Sequence, residues 1–181
     1  MRKINEIFYS IQGEGYHSGT PAIFIRFAGC NLKCSFCDTK HDKFTEMSDN
    51  EIIDIVKSYP ARMVVLTGGE PAMQVDMLFV LALQDAGKYV CIETNGTLPV
   101  PDEIDWITCS PKANYPLRVN FDELKIVFTG KVDLREFERK KYKNMYLQPC
   151  SEKNTQEVID YIKDKPCWKL SLQTQKMVEI R

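Results

Sequence analysis

The stretch "AIFIRFAGCNLKCSFCDTK", residues 22–40, joins two kinds of sequence that rarely meet by accident. Its first half is an apolar, strand-like run interrupted only by Arg26. Its second half holds three cysteines, Cys30, Cys34 and Cys37, in the spacing C-x3-C-x2-C. A run apolar on both faces belongs in a covered, parallel sheet. A polar loop at the end of such a strand is where ligands gather in sheets of this kind.

The same grammar recurs along the chain. Strand-like runs are "NEIFYSI", "AIFIRFA", "MVVLTG", "YVCIET", "WITCS", "LKIVFTG", "MYLQPC" and "KLSLQT", and "LTGGEP", "ETNGT", "CSPK" and "LQPC" put polar or glycine-rich chemistry just after them. Helical segments intervene. "SDNEIIDIVKSY" opens on a capping box, Ser48 with Glu51, and "NTQEVIDYIKDK" has a similar start at Asn154 with Glu157. "MQVDMLFVLALQDAG" closes on Gly87, and "DLREFERKKYK" is polar enough to lie on the surface. Little room for a helix remains between Thr94 and Gly130. Alternating strands and helices predict an α/β fold with a mainly parallel sheet. A complete eight-unit barrel takes about 250 residues, and this chain has 181. The expected architecture is therefore an open, partial (βα) barrel with fewer helices than strands, in a single domain over residues 1–181.

Net charge is −1, which offers no basic excess for nucleic acid and no polybasic patch for a membrane. The N-terminus lacks a signal-peptide core, and the longest apolar-rich stretch is broken by Asp76, so a cytoplasmic protein is expected. The seven cysteines are an odd number and do not suit a disulfide framework. Cys91, Cys109, Cys150 and Cys167 read as small buried residues, leaving the clustered three to bind metal.

Three thiolates under-fill a tetrahedral zinc site, although His41 stands close enough in sequence to complete one. On a four-iron cluster, whose irons are normally each held by a thiolate, they leave one iron open to a small molecule. The pattern, with Phe36 just before the last cysteine, resembles the signature of the radical S-adenosylmethionine superfamily. "TGGEP", Thr67 to Pro71, resembles its GGE motif, whose glycines let backbone approach a ligand closely. The resemblance implies a 4Fe-4S cluster whose open iron is chelated by S-adenosylmethionine. It also implies cleavage of that cofactor, on one-electron reduction, to a 5′-deoxyadenosyl radical. The electron donor would be a flavodoxin- or ferredoxin-type protein.

Within the superfamily, "EIFYSIQGEGYHSGTPAIFIRFAGCNLKC", "CDT", "TGGEP", "ETNGT", "CSPK", "LQP" and "LSLQT-x-K" together resemble the 7-carboxy-7-deazaguanine synthase family, with a shortened middle. That family contracts the ring of 6-carboxy-5,6,7,8-tetrahydropterin with loss of ammonia, in queuosine and deazapurine biosynthesis. The resemblance implies cluster ligands Cys30, Cys34 and Cys37, with the cofactor against Phe36, Cys37, Asp38, Gly69, Ser110, Pro111, Lys112 and Gln148. It implies substrate contacts from Ile11, Gln12, Gly13, Glu14, Arg26, Thr67, Gln175 and the terminal Arg181, magnesium at Thr39, and a homodimer. Glu93, Thr94 and Asn95 end a strand on the same rim. The residues suit these tasks. Gln12 and Glu14 offer amide and carboxylate partners to a pterin edge. Arg26 can fork onto a substrate carboxylate. Magnesium prefers oxygen ligands and keeps waters. One departure stands out: where the family commonly has His, "QTQK" carries Gln175, which cannot take up a proton near neutral pH. A glycyl-radical activating enzyme and a non-enzymatic metal or electron-transfer module are the alternatives.

Overall fold

The computed structural model describes residues 1–151 and 153–180. Among them the chain forms, in order, β1 (Arg2–Ile11), β2 (Pro21–Phe27), β3 (Thr45–Met47), α1 (Asp49–Lys57), β4 (Met63–Gly68), a 3-10 turn (Pro71–Met73) and α2 (Met77–Asp85). There follow β5 (Tyr89–Thr94), β6 (Trp106–Cys109), β7 (Glu123–Val127), α3 (Leu134–Lys140), β8 (Met145–Gln148), α4 (Thr155–Asp164), β9 (Lys169–Leu170) and α5 (Thr174–Met177). The nine strands make one sheet in the order β3-β1-β2-β4-β5-β6-β7-β8-β9. From β2 to β9 every pairing is parallel, while β1 runs antiparallel to both β2 and β3. This is the open partial barrel expected, with fewer helices than strands.

Period-2 alternation sorts the strand side chains onto two faces. Ile23, Ile25 and Phe27 of β2, with Val64, Leu66, Val90 and Ile92, pack against Ile52, Ile53 and Val56 of α1 and Phe79, Val80 and Leu83 of α2. A second core under α3 and α4 gathers Leu124, Ile126, Met145, Leu147, Phe137, Val158 and Trp168. The other face carries a smaller apolar group, Ala22, Met63, Val65 and Cys91, edged by Phe24, Tyr89 and Trp106. Toward the strand ends that face turns polar. Register places Arg26 beside Thr67 and Glu93 beside Thr108, with Lys125 beside Tyr146 and Val127 beside Gln148. The same alternation that builds the core thus delivers a row of polar groups to one end.

The loop between β1 and β2, residues 12–20, crosses this face as a strap. Its neck is closed by Gln12 N donating to Thr20 O at 2.8 Å and Gly19 N to Gln12 O at 2.8 Å. Its tip reaches the far strands. Gly15 N donates to Ser171 Oγ at 3.0 Å and Tyr16 N to Glu123 Oε2 at 3.1 Å, and the Tyr16 ring stacks on Trp106 at 4.7 Å. Gly15 has φ +64°, and a Cβ there would meet Glu123 Oε1 at 1.9 Å. The strap lies across the open face that a closed barrel would bury.

The capping box at Ser48 forms as expected: Ser48 N donates to Glu51 Oε2 at 2.7 Å and Glu51 N to Ser48 Oγ at 3.3 Å. The box-like start at Asn154 does not. Asn154 makes no side-chain cap bond. Its amide instead accepts from Cys150 N and donates to Phe128 O, each at 2.8 Å, tying down the exit of β8. Asp76, read as a break in an apolar run, is the N-cap of α2 and accepts from Phe79 N at 3.0 Å. Cys91 and Cys109 are buried as expected, whereas Cys150 is half-buried and Cys167 exposed. No described helix is long and apolar enough to cross a membrane.

Candidate active site

A cavity of about 650 Å³ opens at the carboxyl ends of the strands, under the strap. Its wall brings together Ile11, Gln12, Gly13 and Glu14 of the strap, Arg26 and Thr67 at the ends of β2 and β4, and Gly69. Cys30, Cys34, Phe36, Cys37, Asp38 and Thr39 line it from the loop after β2. Ser110, Lys112, Gln148 and Gln175 complete the set, as do Glu93, Thr94 and Asn95. Residues separated by most of the chain therefore converge. Pro111 is buried beside the wall and does not line it. Arg181 lies outside the described residues.

The cysteine loop folds on itself through Cys37 N donating to Cys34 O at 3.2 Å and Leu32 N to Cys30 Sγ at 3.4 Å. Lys131, from the segment before α3, holds it from outside by donating to Ser35 Oγ at 2.8 Å and lying 5.3 Å over the Phe36 ring. All seven cysteines are free, and burial, then Glu70 and the neighbouring thiols, push the Cys30 thiol up. A bound cation reverses that preference, since a coordinating thiol is deprotonated outright.

The GGE turn is stitched to the base of the same loop. Gly69 N donates to Phe27 O at 3.0 Å and Glu70 N to Gly29 O at 2.8 Å. Gly68 sits at φ +127°, and a Cβ on Gly69 would meet Gly29 O at 1.8 Å. The glycines are thus required by backbone packed on backbone, a demand separate from the ligand contact expected from sequence. Glu70 is 1% exposed and accepts from Thr94 Oγ1 at 2.6 Å, Asn95 N at 2.8 Å and Ala72 N at 3.1 Å. It welds three strand ends together.

The strap carboxylate is far from a solvated tip. Glu14 pairs with Lys125 Nζ at 2.6 Å and accepts from Gln173 Nε2 at 2.9 Å and Gln175 Nε2 at 3.0 Å. Burial opposes its ionisation, yet Lys125 and the two amides outweigh that and bring the carboxyl down from 4.5 to about 2. Because the folded value lies below the unfolded one, the pair's contribution is complete above 4.5 and disappears as pH falls toward 2. Glu14→Gln is expected to lose about 3 kcal/mol at neutral pH. Its urea-unfolding midpoint should approach that of the wild type below pH 4.5. A gap that stays constant with pH would contradict this.

Arg26 gives its Nε to Glu6 at 2.8 Å and stands 5.8 Å from the Phe8 ring. Asp38 accepts from Lys176 at 2.6 Å and Gln173 at 3.4 Å, and the Thr39 hydroxyl donates to Asp38 at 3.4 Å. Lys112 donates to Ser110 Oγ at 2.8 Å. Sequence reading missed Lys125, Gln173 and Lys176, and it missed Cys150 as a wall residue. A lysine inside the apolar run "LKIV" was the available signal, since a charge on a central strand needs a buried partner.

Comparison with known proteins bears on the same residues. The family model for the radical SAM superfamily matches residues 24–108, which include the cysteine loop and the GGE turn. The chain is 57% identical to the 7-carboxy-7-deazaguanine synthase of Bacteroides thetaiotaomicron, with 100% of both chains covered. This chain belongs to the 7-carboxy-7-deazaguanine synthase family. Its identity to the 7-carboxy-7-deazaguanine synthase of Burkholderia multivorans is 41% over 98% of each chain. The crystal structure of QueE from Escherichia coli superposes with a TM-score of 0.77 at 30% identity, covering 94% of this chain and 93% of that one.

As a radical SAM enzyme, this synthase-family member uses a 4Fe-4S cluster and S-adenosylmethionine. Its donor set fits a cluster better than a single ion. Among the described residues no three His, Cys, Asp or Glu side chains meet closely enough to hold one ion, so His41 completes no zinc site. A cluster instead gives each thiolate its own iron, and three sulfurs spread along one loop suit it. Gln175 Oε1, buried on the cavity wall without a partner among the described residues, marks an acceptor that a ligand donor would satisfy.

Proposed function

We propose that this chain converts 6-carboxy-5,6,7,8-tetrahydropterin to 7-carboxy-7-deazaguanine with loss of ammonia. The observation that carries the reading is the single cavity in which the three-cysteine loop, the GGE turn and the Gln12–Glu14 strap face one another. When bound, cluster and cofactor supply the radical that takes hydrogen from substrate, so no side chain has to act as base for that step. The protein's own work is placement and exclusion of water. Phe36, Cys37, Asp38, Gly69, Ser110, Lys112 and Gln148 are read as the cofactor wall, with Pro111 supporting it from behind. Ile11, Gln12, Gly13, Glu14, Thr67 and Gln175 are read as the substrate wall, with Arg26 the cation for the substrate carboxylate. Its ion pair with Glu6 fixes one edge of the guanidinium and orients it. Arg181 is read as a further substrate contact.

Magnesium at Thr39 is the finer reading. Asp38 is already engaged by Lys176, so the ion would draw on the Thr39 hydroxyl, water and substrate oxygens, as a hard ion that keeps part of its water shell does. The one continuous sheet supports a single domain. Family resemblance supports a cytoplasmic homodimer reduced by a flavodoxin- or ferredoxin-type donor. Anaerobic turnover with and without magnesium, with the product identified by mass, tests the function. The deazaguanine must appear, and faster with the ion. Cleavage of S-adenosylmethionine without that product would refute the substrate reading.

Gln175 is read as keeping a binding contact while losing any titrating role. Gln175→His is expected to add an ionisation near neutral pH to the kcat/KM profile. An unchanged rate and pH profile would contradict the idea.

A further inference from the structure

Lys125 is 4% exposed in the middle of a central strand, where an ammonium must find acceptors or lose its charge. It finds two, Glu14 Oε2 at 2.6 Å on the strap and Glu93 Oε1 at 3.2 Å at the end of β5. Each carboxylate is also held by side-chain amides. Gln12 Nε2 donates to Glu93 Oε1 at 3.0 Å, and Gln173 and Gln175 donate to Glu14 Oε1 at 2.9 and 3.0 Å. All six side chains border the cavity.

The strap does not depend on this lysine for its position. Its neck bonds, the Gly15 contact with Ser171, the Tyr16 contact with Glu123 and the stacking on Trp106 anchor it without Lys125. What Lys125 alone does is stand between two carboxylates. Without it, two part-buried like charges would be left with only the amides of Gln12, Gln173 and Gln175 as direct donors, and with Lys112 as the cation that still acts on both. That favours protonation of one carboxyl into a donor. A neutral acid presents a different hydrogen-bond pattern from a carboxylate, which only accepts.

We propose that Lys125 is a positioning residue for substrate: it keeps Glu14 and Glu93 aimed at the cavity as paired acceptors for the N–H-rich edge of a reduced pterin. This rests on the reading of the substrate given above. The cation acts through the two carboxylates it pairs with, so recognition is set at one remove from the substrate.

The test uses anaerobic, cluster-loaded wild type and Lys125→Met. The readouts are KM and equilibrium Kd for 6-carboxytetrahydropterin, kcat, and the change in the cluster EPR signal on adding S-adenosylmethionine. KM and Kd are expected to rise about 100-fold, as for a broken buried pair. Meanwhile kcat should fall less than about tenfold and the EPR response persist, since the cofactor side is untouched. Glu14→Gln should show a similar rise, and the double variant should be little worse than either single one. Pterin affinity in Lys125→Met within about threefold of wild type, or additive losses in the double variant, would overturn the proposal. Should the Met variant fail to fold, Lys125→Arg serves. Its larger planar head cannot reproduce both contacts, so KM must still rise about tenfold, and a wild-type KM overturns the role. Wild type that neither binds nor converts the pterin refutes the substrate reading itself. Wild type that converts it beside an unaffected Lys125→Met enzyme refutes only the lysine's part.

Discussion

Cys34→Ala is expected to leave anaerobic reconstitution nearly colourless, with iron reduced to background and turnover lowered by at least about 1,000-fold. The size follows from the donor count. Three thiolates are the minimum that leaves a single open iron, and a loop with two leaves a pair of irons exposed and the cluster prone to loss. The loss is attributable to sulfur because the backbone bond from Cys37 N to the carbonyl of residue 34 survives in Ala. Far-ultraviolet circular dichroism should match that of the wild type. A variant that keeps wild-type iron and activity would show that Cys34 is no ligand.

Gly69→Ala is expected to weaken cluster retention and stability together without removing any ligand. The new Cβ would lie 1.8 Å from Gly29 O, so the turn after β4 and the loop before Cys30 must separate. Doing so stretches the bonds from Gly69 N to Phe27 O and from Glu70 N to Gly29 O. Overpacking of this kind costs about 1–3 kcal/mol. The displaced segment carries Cys30, the first of the three proposed ligands, so iron retention should fall at least about fivefold and the melting temperature by several degrees. Wild-type iron content together with a wild-type melting temperature would mean that the two loops move independently.

Much of this architecture is written in local pattern. Eight of the nine strands were legible because their apolar runs are long enough to show which faces they bury. β3 was not, since "TEM" at residues 45–47 has no apolar face and exists only through pairing with Arg2–Ile4 of β1. α5 likewise spans four residues and has no period to read. Asn154 shows the opposite failure: the local motif was present, but a tertiary task, tying Cys150 N to Phe128 O, claimed the side chain. In the site, the cysteine loop, the GGE turn and the strap announce themselves because each is contiguous. The clamp of Lys125 on Glu14 and Glu93 joins residues 111 and 32 positions apart, and no window of sequence contains it. The reason for Gly69 was also non-local, because the chain it makes room for is another loop.

The most direct test of the account is the EPR spectrum of the reduced, reconstituted protein before and after S-adenosylmethionine. A cube held by Cys30, Cys34 and Cys37 alone must change its signal when the cofactor reaches the open iron. A cluster whose signal ignores the cofactor would mean that a fourth side chain already fills that corner. Such a result would contradict the open-iron reading, and Cys150, the other half-buried cysteine on the cavity wall, would be the first side chain to substitute.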